Sequence, residues 1–248
     1  EVFGFCRGVM RALRMLQGAV DRHGADGKRI VLLGEIIHNP WVNDHFRRLG
    51  VRILTREQTG PLEEYLGPDD CAVVPAFGVS LEVQRRLETI GCEVVDTSCG
   101  DVRRVWRWAE QAVTTGHAVL IFGRALHDET VVTKSRLAAA GGKYLVVGSV
   151  EEARQFCRFI AQEAPKDEFT SVFGPETTNA ASPEAFERLA QVSQTTMLFD
   201  ETMAVRDVVR EAFVRRFGPE SLRERLLFQP TVCRATQNRQ SAAMALCG

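Results

Sequence analysis

Three of the seven cysteines lie where a thiol could serve as a metal ligand. Cys6, Cys99 and Cys233 each follow a short extended segment and immediately precede a predicted helix. A thiol at such a turn meets the positive end of the helix dipole and unpaired backbone N–H groups, which favour the thiolate. Thiolates are the ligands of iron–sulfur clusters. The three positions therefore predict either a shared metal centre or three incidental, buried thiols.

The other four cysteines have a simpler interpretation. Cys71 and Cys92 open apolar strands, and Cys157 and Cys247 lie on predicted helices. Free cysteine is often buried as a small hydrophobic residue. The cysteine count is odd and no C-x-x-C pair occurs, which indicates a reducing compartment rather than a disulfide scaffold.

Imidazole and carboxyl groups follow two predicted strands. His38 and His127 come directly after strands, where open α/β sheets place ligand sites, and Glu129 follows in the second loop. A histidine and a glutamate in one loop could bind an anion and move a proton. The alternative is a solvated loop in which Asp128 or Glu129 caps a helix. The hydroxyl-rich turn that contains Thr195 is interpreted, from the residues alone, as the N-cap of the next helix.

The elements that must position these residues alternate along the chain, which predicts α/β layers with mostly parallel sheets. The predicted strands are 29–37, 71–77, 92–96, 117–123, 143–148 and 226–233. The predicted helices are 8–24, 41–50, 80–91, 102–116, 149–164, 201–218 and 235–248. The stretch 164–193 is less periodic and is a candidate insertion.

Composition is that of a globular protein, with 45% hydrophobic and 25% charged residues among 248. No apolar run approaches the roughly 20 residues that span a bilayer, so we expect no membrane association. Lys and Arg total 31 against 32 Asp and Glu, so nothing indicates nucleic-acid binding. The chain begins at Glu1 and stops after an apolar helical run. Both ends are therefore interpreted as trimmed, and a targeting peptide is neither found nor excluded.

Seven segments, in order, carry a resemblance to a known family. They are GFCRGVMRAL, EIIHNPWVN, PAFGVS, DTSCGDV, HDETVVT, QTTML and VCRATQNRQ. Together they resemble the 4-hydroxy-3-methylbut-2-enyl diphosphate reductases over essentially the whole chain. The resemblance implies a three-lobed α/β protein around a central 4Fe–4S cluster. The implied lobes are 1–98, 99–225 with the insertion near 164–193, and 226–248 as the start of a third lobe that is mostly absent.

The resemblance also implies a role for each candidate residue. It makes the three cysteines cluster ligands, namely Cys6, Cys99 and Cys233, and leaves a fourth iron for the substrate hydroxyl group. His38 and His127 would bind the diphosphate, Glu129 would be the proton source, and Thr195 would position the hydroxyl group. The implied reaction takes two electrons and protons, expels water, and gives isopentenyl and dimethylallyl diphosphates in the last step of the non-mevalonate pathway.

Three departures from the family pattern stand out. Phe77 occupies a position where the bacterial form has a histidine, and the PAFG, QTTML and EIIHNP segments resemble the plastid and cyanobacterial branch instead. Gly100 replaces the usual proline after the second cysteine. The family's later Ser-x-Asn turn, which binds the diphosphate, is absent.

The implied partners are the diphosphate substrate and a ferredoxin or flavodoxin as electron donor, in a monomer or homodimer. The implied location is the cytoplasm, or the plastid stroma in a plant or alga. One alternative is a degenerate relative that keeps the cluster as a redox sensor or electron carrier. Another is a zinc module built on the three cysteines and a histidine, although their wide separations differ from zinc spacings.

Overall fold

The chain folds as two α/β units, each built on one four-stranded sheet. The computed structural model describes residues 4–24, 26–55 and 60–247. Contacts within it separate Gly4–Arg103 from Arg104–Gly248, and we call these the first and second units. Every pairing between neighbouring strands is parallel. The predicted α/β class with parallel sheets is confirmed.

The first unit places helices on both faces of its sheet. Over the described residues its helices and strands are α1 Arg7–His23, β1 Ile30–Leu32, α2 Pro40–Arg48, β2 Arg52–Ile53, β3 Cys71–Val74, α3 Leu81–Ile90 and β4 Glu93–Asp96. The strand order is β2-β1-β3-β4. Side chains alternate along each strand, so Leu32 and Val73 face α1 and α2 while Val31 and Ala72 face α3.

Helix α1 packs through residues spaced three and four apart. Ala12, Leu16 and Ala19 are fully buried on one face of the helix, as expected of an amphipathic surface helix. Phe46 of α2 joins the same cluster. Burying each large apolar side chain contributes about 1.5–3 kcal/mol, and this packing fixes the helix whose first residue follows Cys6.

The second unit repeats the arrangement with more helices. Over the described residues its helices and strands are α4 Gly100–Thr114, β5 Ala118–Phe122, α5 Asp128–Ala139, β6 Tyr144–Val147, α6 Val150–Ile160, α7 Phe169–Val172, β7 Leu189–Ser193, α8 Phe199–Phe217, α9 Leu222–Arg225, β8 Leu226–Phe228 and α10 Arg234–Cys247. The boundary between the units falls inside α4. The strand order is β6-β5-β7-β8.

The two sheets share one topology. In each, the first strand of the unit lies between the second and the third, and the fourth lies at the edge beside the third. The order reverses between the first and third strands, and ligands of open α/β sheets bind in the crevice at the carboxyl ends there. The segments that follow β1, β3 and β4 carry His38, Phe77 and Cys99. Those after β5, β7 and β8 carry the second unit's candidate residues, which are His127, Glu129, Thr195 and Cys233.

The stretch 164–193, expected to be an irregular insertion, is instead part of the core. It contains α7 and the central strand β7, and it supplies Phe169, Phe173 and Phe186 to the aromatic cluster. Phe169 packs edge-on against Phe159 of α6, with ring centroids 5.5 Å apart, a favoured aromatic geometry. Packing against α6, rather than local periodicity, orders this segment.

Residues 226–228 also differ from the expectation that they start a new lobe. Leu226 and Leu227 pair in parallel with Leu189 and Ala190 of β7, so β8 completes the second sheet. The predicted strand at 226–233 ends at Phe228, and Pro230, which cannot donate a ladder hydrogen bond, follows soon after. The division into three lobes stays a prediction.

Candidate functional site

The turn that carries Cys99 is held by a dense set of hydrogen bonds. The Ser98 N–H and the Arg103 guanidinium both donate to the Asp96 carboxylate, at 2.8 and 2.5 Å. The Thr97 hydroxyl donates to the Val74 carbonyl at 2.6 Å, and the Cys99 N–H donates to a carbonyl of the β3 loop at 2.9 Å. Burial would raise the pKa of Asp96, but these donors lower it. The carboxylate therefore anchors the turn before α4.

Cys6 and Cys99 lie beside the same glycine. A Cβ atom on Gly8 would be 2.7 Å from the Cys99 sulfur and 3.8 Å from the Cys6 sulfur. Only glycine leaves room for both thiols at this point of α1. The structure therefore brings two of the three predicted cysteine ligands together within the first unit.

All three cysteines accept N–H groups at the start of a helix, as the turn positions predict. The Cys6 sulfur accepts from Val9 N at 3.5 Å, and the Cys233 sulfur accepts from Thr236 N at 3.4 Å. Cys99 accepts from Asp101 and Val102. In each case one donor is the residue three positions on, which is the N-cap geometry.

The expected thiolate at Cys99 is wrong for the metal-free side chain. Burial raises the pKa of the Cys99 thiol and outweighs the two N–H donors, which lower it. Desolvation disfavours the charged form of any acid. A cation bound to the sulfur would supply the missing compensation, since coordination deprotonates a thiol.

His38 lies in the segment after β1, at the predicted strand end. Its ring stacks on Phe77 with centroids 4.4 Å apart and 18° between the planes. Its Nδ1 is 3.0 Å from the Glu35 carboxylate, and the side chain is exposed. Phe77 stacks against one face of this imidazole. It occupies the position where the bacterial form of the resembled family has a histidine.

Two asparagines that the sequence interpretation missed hold the segments on either side of His38. Buried Asn43 accepts from Ile36 N at 3.2 Å and donates to the Ile37 carbonyl at 3.0 Å. Asn39 caps α2 by accepting from Val42 N. The spacing N-P-x-x-N, which puts one amide at the N-cap and the other four residues on in the same helix, was the available signal.

Glu129 and Thr195 form a buried polar contact in the second unit. Glu129 is 1% exposed. Its carboxylate accepts from the Thr195 N–H and from the Thr195 hydroxyl, both at 2.7 Å. The alternative of a solvated, capping glutamate is wrong. So is the N-cap interpretation of Thr195, because α8 begins only at Phe199.

His127 is the N-cap of α5. Its Nδ1 accepts from the Glu129 N–H at 3.2 Å. A ring nitrogen that accepts carries no hydrogen, so this bond assigns the neutral tautomer with its hydrogen on Nε2. A proton on Nδ1 would break this cap.

Cys233 connects to the same group of residues. Its N–H donates to the Thr195 carbonyl at 2.9 Å, and its sulfur lies 3.0 Å from the Thr236 hydroxyl. One residue links the third cysteine to the buried carboxylate. Within the second unit, the structure thus gathers Cys233, Thr195, Glu129 and His127.

Gln194 is a supporting residue that the sequence interpretation missed. Its side-chain oxygen accepts from Arg124 N at 3.1 Å and from the Thr130 hydroxyl at 3.4 Å. Its amide donates to the Thr196 hydroxyl at 2.7 Å. The side chain therefore ties the segment after β7 to the segment after β5. A single glutamine in a polar turn gives no sequence signal for this role.

A second group of potential metal ligands lies at the opposite end of the first sheet. Ligand atoms of His23, Cys71 and Glu93 are all within 4.8 Å of one another. The Glu93 carboxylate already faces Lys28 at 3.0 Å and Arg22 at 3.7 Å, and burial raises the pKa of Cys71 to about 11. Two neighbouring cations and a protonated thiol are poor conditions for a divalent ion.

The remaining cysteines match the simpler interpretation where it can be checked. Cys71 and Cys157 are buried, and Cys92 is half-buried. The side chain of Cys247 lies outside the described residues. Cys6, Cys99 and Cys233 are all partly exposed, as a ligand-binding thiol must be.

Two parallel sheets with thiol, imidazole and carboxyl groups at their carboxyl ends define an α/β protein with candidate metal-binding cysteines. The profile described as "LytB protein" matches residues 1–248. The chain therefore belongs to the LytB protein family.

Named relatives agree with this membership. A 4-hydroxy-3-methylbut-2-enyl diphosphate reductase of Synechococcus sp. is 35% identical over 99% of this chain and 61% of its own length. A chloroplastic reductase of the same name from Botryococcus braunii is 32% identical over 100% of this chain and 49% of its own. The chain thus spans about six tenths or less of the length of these relatives.

A solved structure shows the same fold. The structure of (E)-4-hydroxy-3-methyl-but-2-enyl diphosphate reductase, described as the terminal enzyme of the non-mevalonate pathway, has a TM-score of 0.69 at 24% identity. The match covers 99% of this chain and 71% of that one. Over the described residues, no helix has the length and apolar character to cross a bilayer.

Proposed function

We propose that this chain carries out the reductive dehydroxylation of 4-hydroxy-3-methylbut-2-enyl diphosphate to isopentenyl and dimethylallyl diphosphates. In this reaction the C–O bond of the allylic alcohol breaks with uptake of two electrons and two protons. One proton leaves with the oxygen as water and the other joins an allylic carbon. Membership of the LytB family and the names of its relatives support the proposal.

One observation carries the proposal at the level of the residues. The buried Glu129 carboxylate accepts two hydrogen bonds from Thr195, whose carbonyl accepts the N–H of Cys233. A proton-transferring group and a candidate metal ligand are thereby joined through one residue. A cysteine that served only for packing would not require a buried carboxyl group nearby.

The residues present fit an iron–sulfur cluster. Cys6, Cys99 and Cys233 offer three partly exposed thiols with N–H donors to sulfur, and Gly8 leaves the space that two of them need. We propose that these three hold a 4Fe–4S cluster. When bound, such a cluster supplies electrons and an iron without a cysteine ligand as a Lewis acid.

Glu129 is the proposed proton donor. At 1% exposure its carboxyl group is shielded from bulk water, and both of its oxygens are oriented by Thr195. The Thr195 hydroxyl can pass a proton between the carboxyl group and a substrate hydroxyl group, because a hydroxyl both donates and accepts. Delivery of that proton lets the hydroxyl group leave as water.

His38 and His127 are the proposed diphosphate ligands. His127 holds its hydrogen on Nε2 while Nδ1 accepts the Glu129 N–H. His38 is oriented by Glu35 and by the Phe77 ring. Orienting partners of this kind fix which ring nitrogen faces a ligand. The proposed electron donor is a ferredoxin or flavodoxin, and the proposed location is the cytoplasm or, in a plant or alga, the plastid stroma.

The test is a comparison of Glu129→Gln with the unaltered full-length protein, purified and reconstituted without oxygen. Glutamine keeps the size of the side chain and a carbonyl that accepts from Thr195, but it cannot donate an acidic proton. We expect about four irons and four sulfides per chain in both proteins. We also expect kcat, measured with dithionite and methyl viologen, to fall by at least about 10²-fold, the contribution of a general acid.

Cys99→Ser provides the matched control for the cluster. We expect it to lose iron, sulfide and the visible spectrum, whereas Glu129→Gln keeps all three. Iron-loaded protein that never reduces the diphosphate would support the redox sensor or carrier instead. Failure to bind iron, even in the unaltered full-length protein, would contradict the assignment of the three cysteines.

A further inference from the structure

A shallow apolar groove runs between α1 and α2, apart from every residue assigned above. It has a volume of about 390 Å³. Leu13 of α1 lines one side, and Val42 and Phe46 of α2 line the other. Trp41 stands at its rim and is 82% exposed. An exposed tryptophan over an apolar groove is typical of a surface that binds another macromolecule.

The two helices that form the groove are strongly basic. They present six exposed arginines against two aspartates, a net of four positive charges in a chain whose net charge is −1. The arginines are Arg7, Arg11, Arg14, Arg22, Arg47 and Arg48. Arg14 lines the groove itself, beside His45. Over the described residues, no carboxylate forms an ion pair with it, so its charge is available to a partner.

The groove is close to a proposed cluster ligand. Cys6 is the N-cap of α1, and Leu13 is seven residues further along, which is about 10 Å at 1.5 Å per residue. Trp41 lies on the first turn of α2, three residues after His38. A protein seated on this groove would therefore approach the end of the first sheet at which the candidate residues lie.

We propose that the groove between α1 and α2 docks a small acidic one-electron carrier protein, with Trp41 as apolar anchor and Arg14 as charge contact. The inference rests on the proposed function, since a reductase that takes two electrons needs such a donor. Its chemistry fits the surface. Complementary charge steers association and fixes orientation, and electron-transfer partners bind through small, transient interfaces below about 1,200 Å².

The experiment measures binding and turnover separately, in full-length protein carrying its cluster. The probe is an acidic plant-type 2Fe–2S ferredoxin, titrated at low and at high salt. The variants are Arg14→Glu and Trp41→Ala. The matched control is Arg85→Glu on α3, an exposed arginine of the same unit whose helix packs on the opposite face of the sheet.

We expect Kd for the ferredoxin to rise at least about ten-fold in Arg14→Glu and Trp41→Ala, as for interface anchors, and less than two-fold in Arg85→Glu. High salt should weaken binding to the unaltered protein and to Trp41→Ala, but weaken binding to Arg14→Glu less. Turnover driven by dithionite, a small reductant that needs no docking surface, should stay within two-fold in all three variants.

Equal Kd values for Arg14→Glu and Arg85→Glu would overturn the proposal. Unchanged ferredoxin affinity of the groove variants, with an altered oligomeric state or unfolding temperature, would overturn it too, since a second copy or another segment of the full-length protein would then fill the groove. The two proposals fail differently. If no protein turns over the diphosphate but the groove variants still lose ferredoxin binding, the docking surface stands and the proposed reaction does not.

Discussion

Three polar groups of Thr195 connect Glu129 to Cys233. Its N–H and hydroxyl donate to Glu129, and its carbonyl accepts from Cys233. The residue is itself buried, so each of these bonds replaces a bond to water that is no longer possible. A buried carboxylate that lost one of its donors would pay the cost of desolvation without compensation.

Thr195→Val tests this at constant shape. Valine removes the hydroxyl donor and leaves the N–H bond to Glu129, so we expect the free energy of unfolding to fall by about 2 kcal/mol, the range for hydrogen bonds to charged groups. Thr195→Ser keeps the hydroxyl, so we expect its decrease in the free energy of unfolding to be at most about half of that of Thr195→Val. Urea denaturation monitored by circular dichroism measures both. A larger loss in Thr195→Ser than in Thr195→Val would show that the methyl group, and not the hydroxyl, stabilises the site.

At the scale of residues, the sequence predicts the local hydrogen-bond donors of a side chain better than its burial. The N–H donors to Cys6, Cys99 and Cys233 follow from their positions before helices and are confirmed. The pKa of Cys99 is not predictable in this way, because burial depends on residues distant in the chain and outweighs the local donors. The same holds for Thr195, whose short-range pattern is that of an N-cap while its partner lies 66 residues away.

Helix α1 contains two glycines, Gly8 and Gly18, and only Gly8 lies where a larger side chain would meet another residue closely. A Cβ on Gly8 would lie 2.7 Å from the Cys99 sulfur, whereas on Gly18 the nearest atom is the end of Arg22 at 3.8 Å. Both glycines are helical. Replacing Gly18, in the interior of α1, by alanine gains about 0.8–1 kcal/mol in helix propensity. At Gly8 the new methyl group instead meets the Cys99 sulfur.

We expect Gly18→Ala to stabilise the first unit by about that amount and to leave iron content unchanged. Gly8→Ala should be destabilising by roughly 1–3 kcal/mol, as for overpacking, and should lower the iron bound after reconstitution. Thermal unfolding and iron analysis of the two variants in parallel measure the contrast. Full iron loading of Gly8→Ala would mean that the two thiols do not need the space beside the glycine.

A buried carboxylate also fixes the start of β3. The Arg29 guanidinium donates to both oxygens of Asp70, at 2.8 and 2.6 Å, and Gly67 N donates at 2.7 Å. Burial would raise the pKa of Asp70, but these donors hold it below its ordinary value of 3.8. A lowered pKa means that the folded state gains stability from the ionised group above that value and loses it as the pH falls further.

Asp70→Asn should therefore lower the free energy of unfolding by roughly 2 kcal/mol at neutral pH. The difference in this free energy between the variant and the unaltered protein should become smaller below about pH 4. Urea midpoints of both proteins over a series of pH values measure the difference. Arg29→Lys keeps the charge but loses the bidentate geometry, so its stability should lie between that of the unaltered protein and that of Asp70→Asn. A gap that does not change with pH would contradict the role of the ionised carboxylate.

The elements themselves were partly predictable. The strong strands at β3, β5 and β6 and the amphipathic helices follow from periodicity. Strand β7 does not, because its central Gln191 is polar in sequence yet buried, where it donates to the Thr202 carbonyl at 3.2 Å. The two-residue β2 is too short to give any periodic signal.

Across the whole molecule, five of the cysteines separate into a buried pair and a partly exposed set of three. Cys71 is 0% exposed, and burial raises its pKa to about 11; burial raises that of Cys157 to about 12. Since the thiolate is the reactive form, both should resist alkylation in the folded protein. Cys6, Cys99 and Cys233 are partly exposed at turns before helices. Exposure and the burial-raised pKa values together therefore predict which of these thiols a reagent reaches.

Alkylation with iodoacetamide at pH 8, followed by mass spectrometry of the peptides, reads this pattern in one experiment. In metal-free protein we expect Cys6, Cys99 and Cys233 to be labelled well before Cys71 and Cys157, which should react only after denaturation. Reconstitution with iron and sulfide should then protect the first three together and leave Cys92, half-buried and outside the proposed cluster, as reactive as before. Joint protection is the signature of one shared centre, because a ligand on a single thiol protects only that thiol. Protection of one or two of the three, with the third still labelled, would divide the cysteines between separate functions and leave the proposed cluster without its full set of ligands.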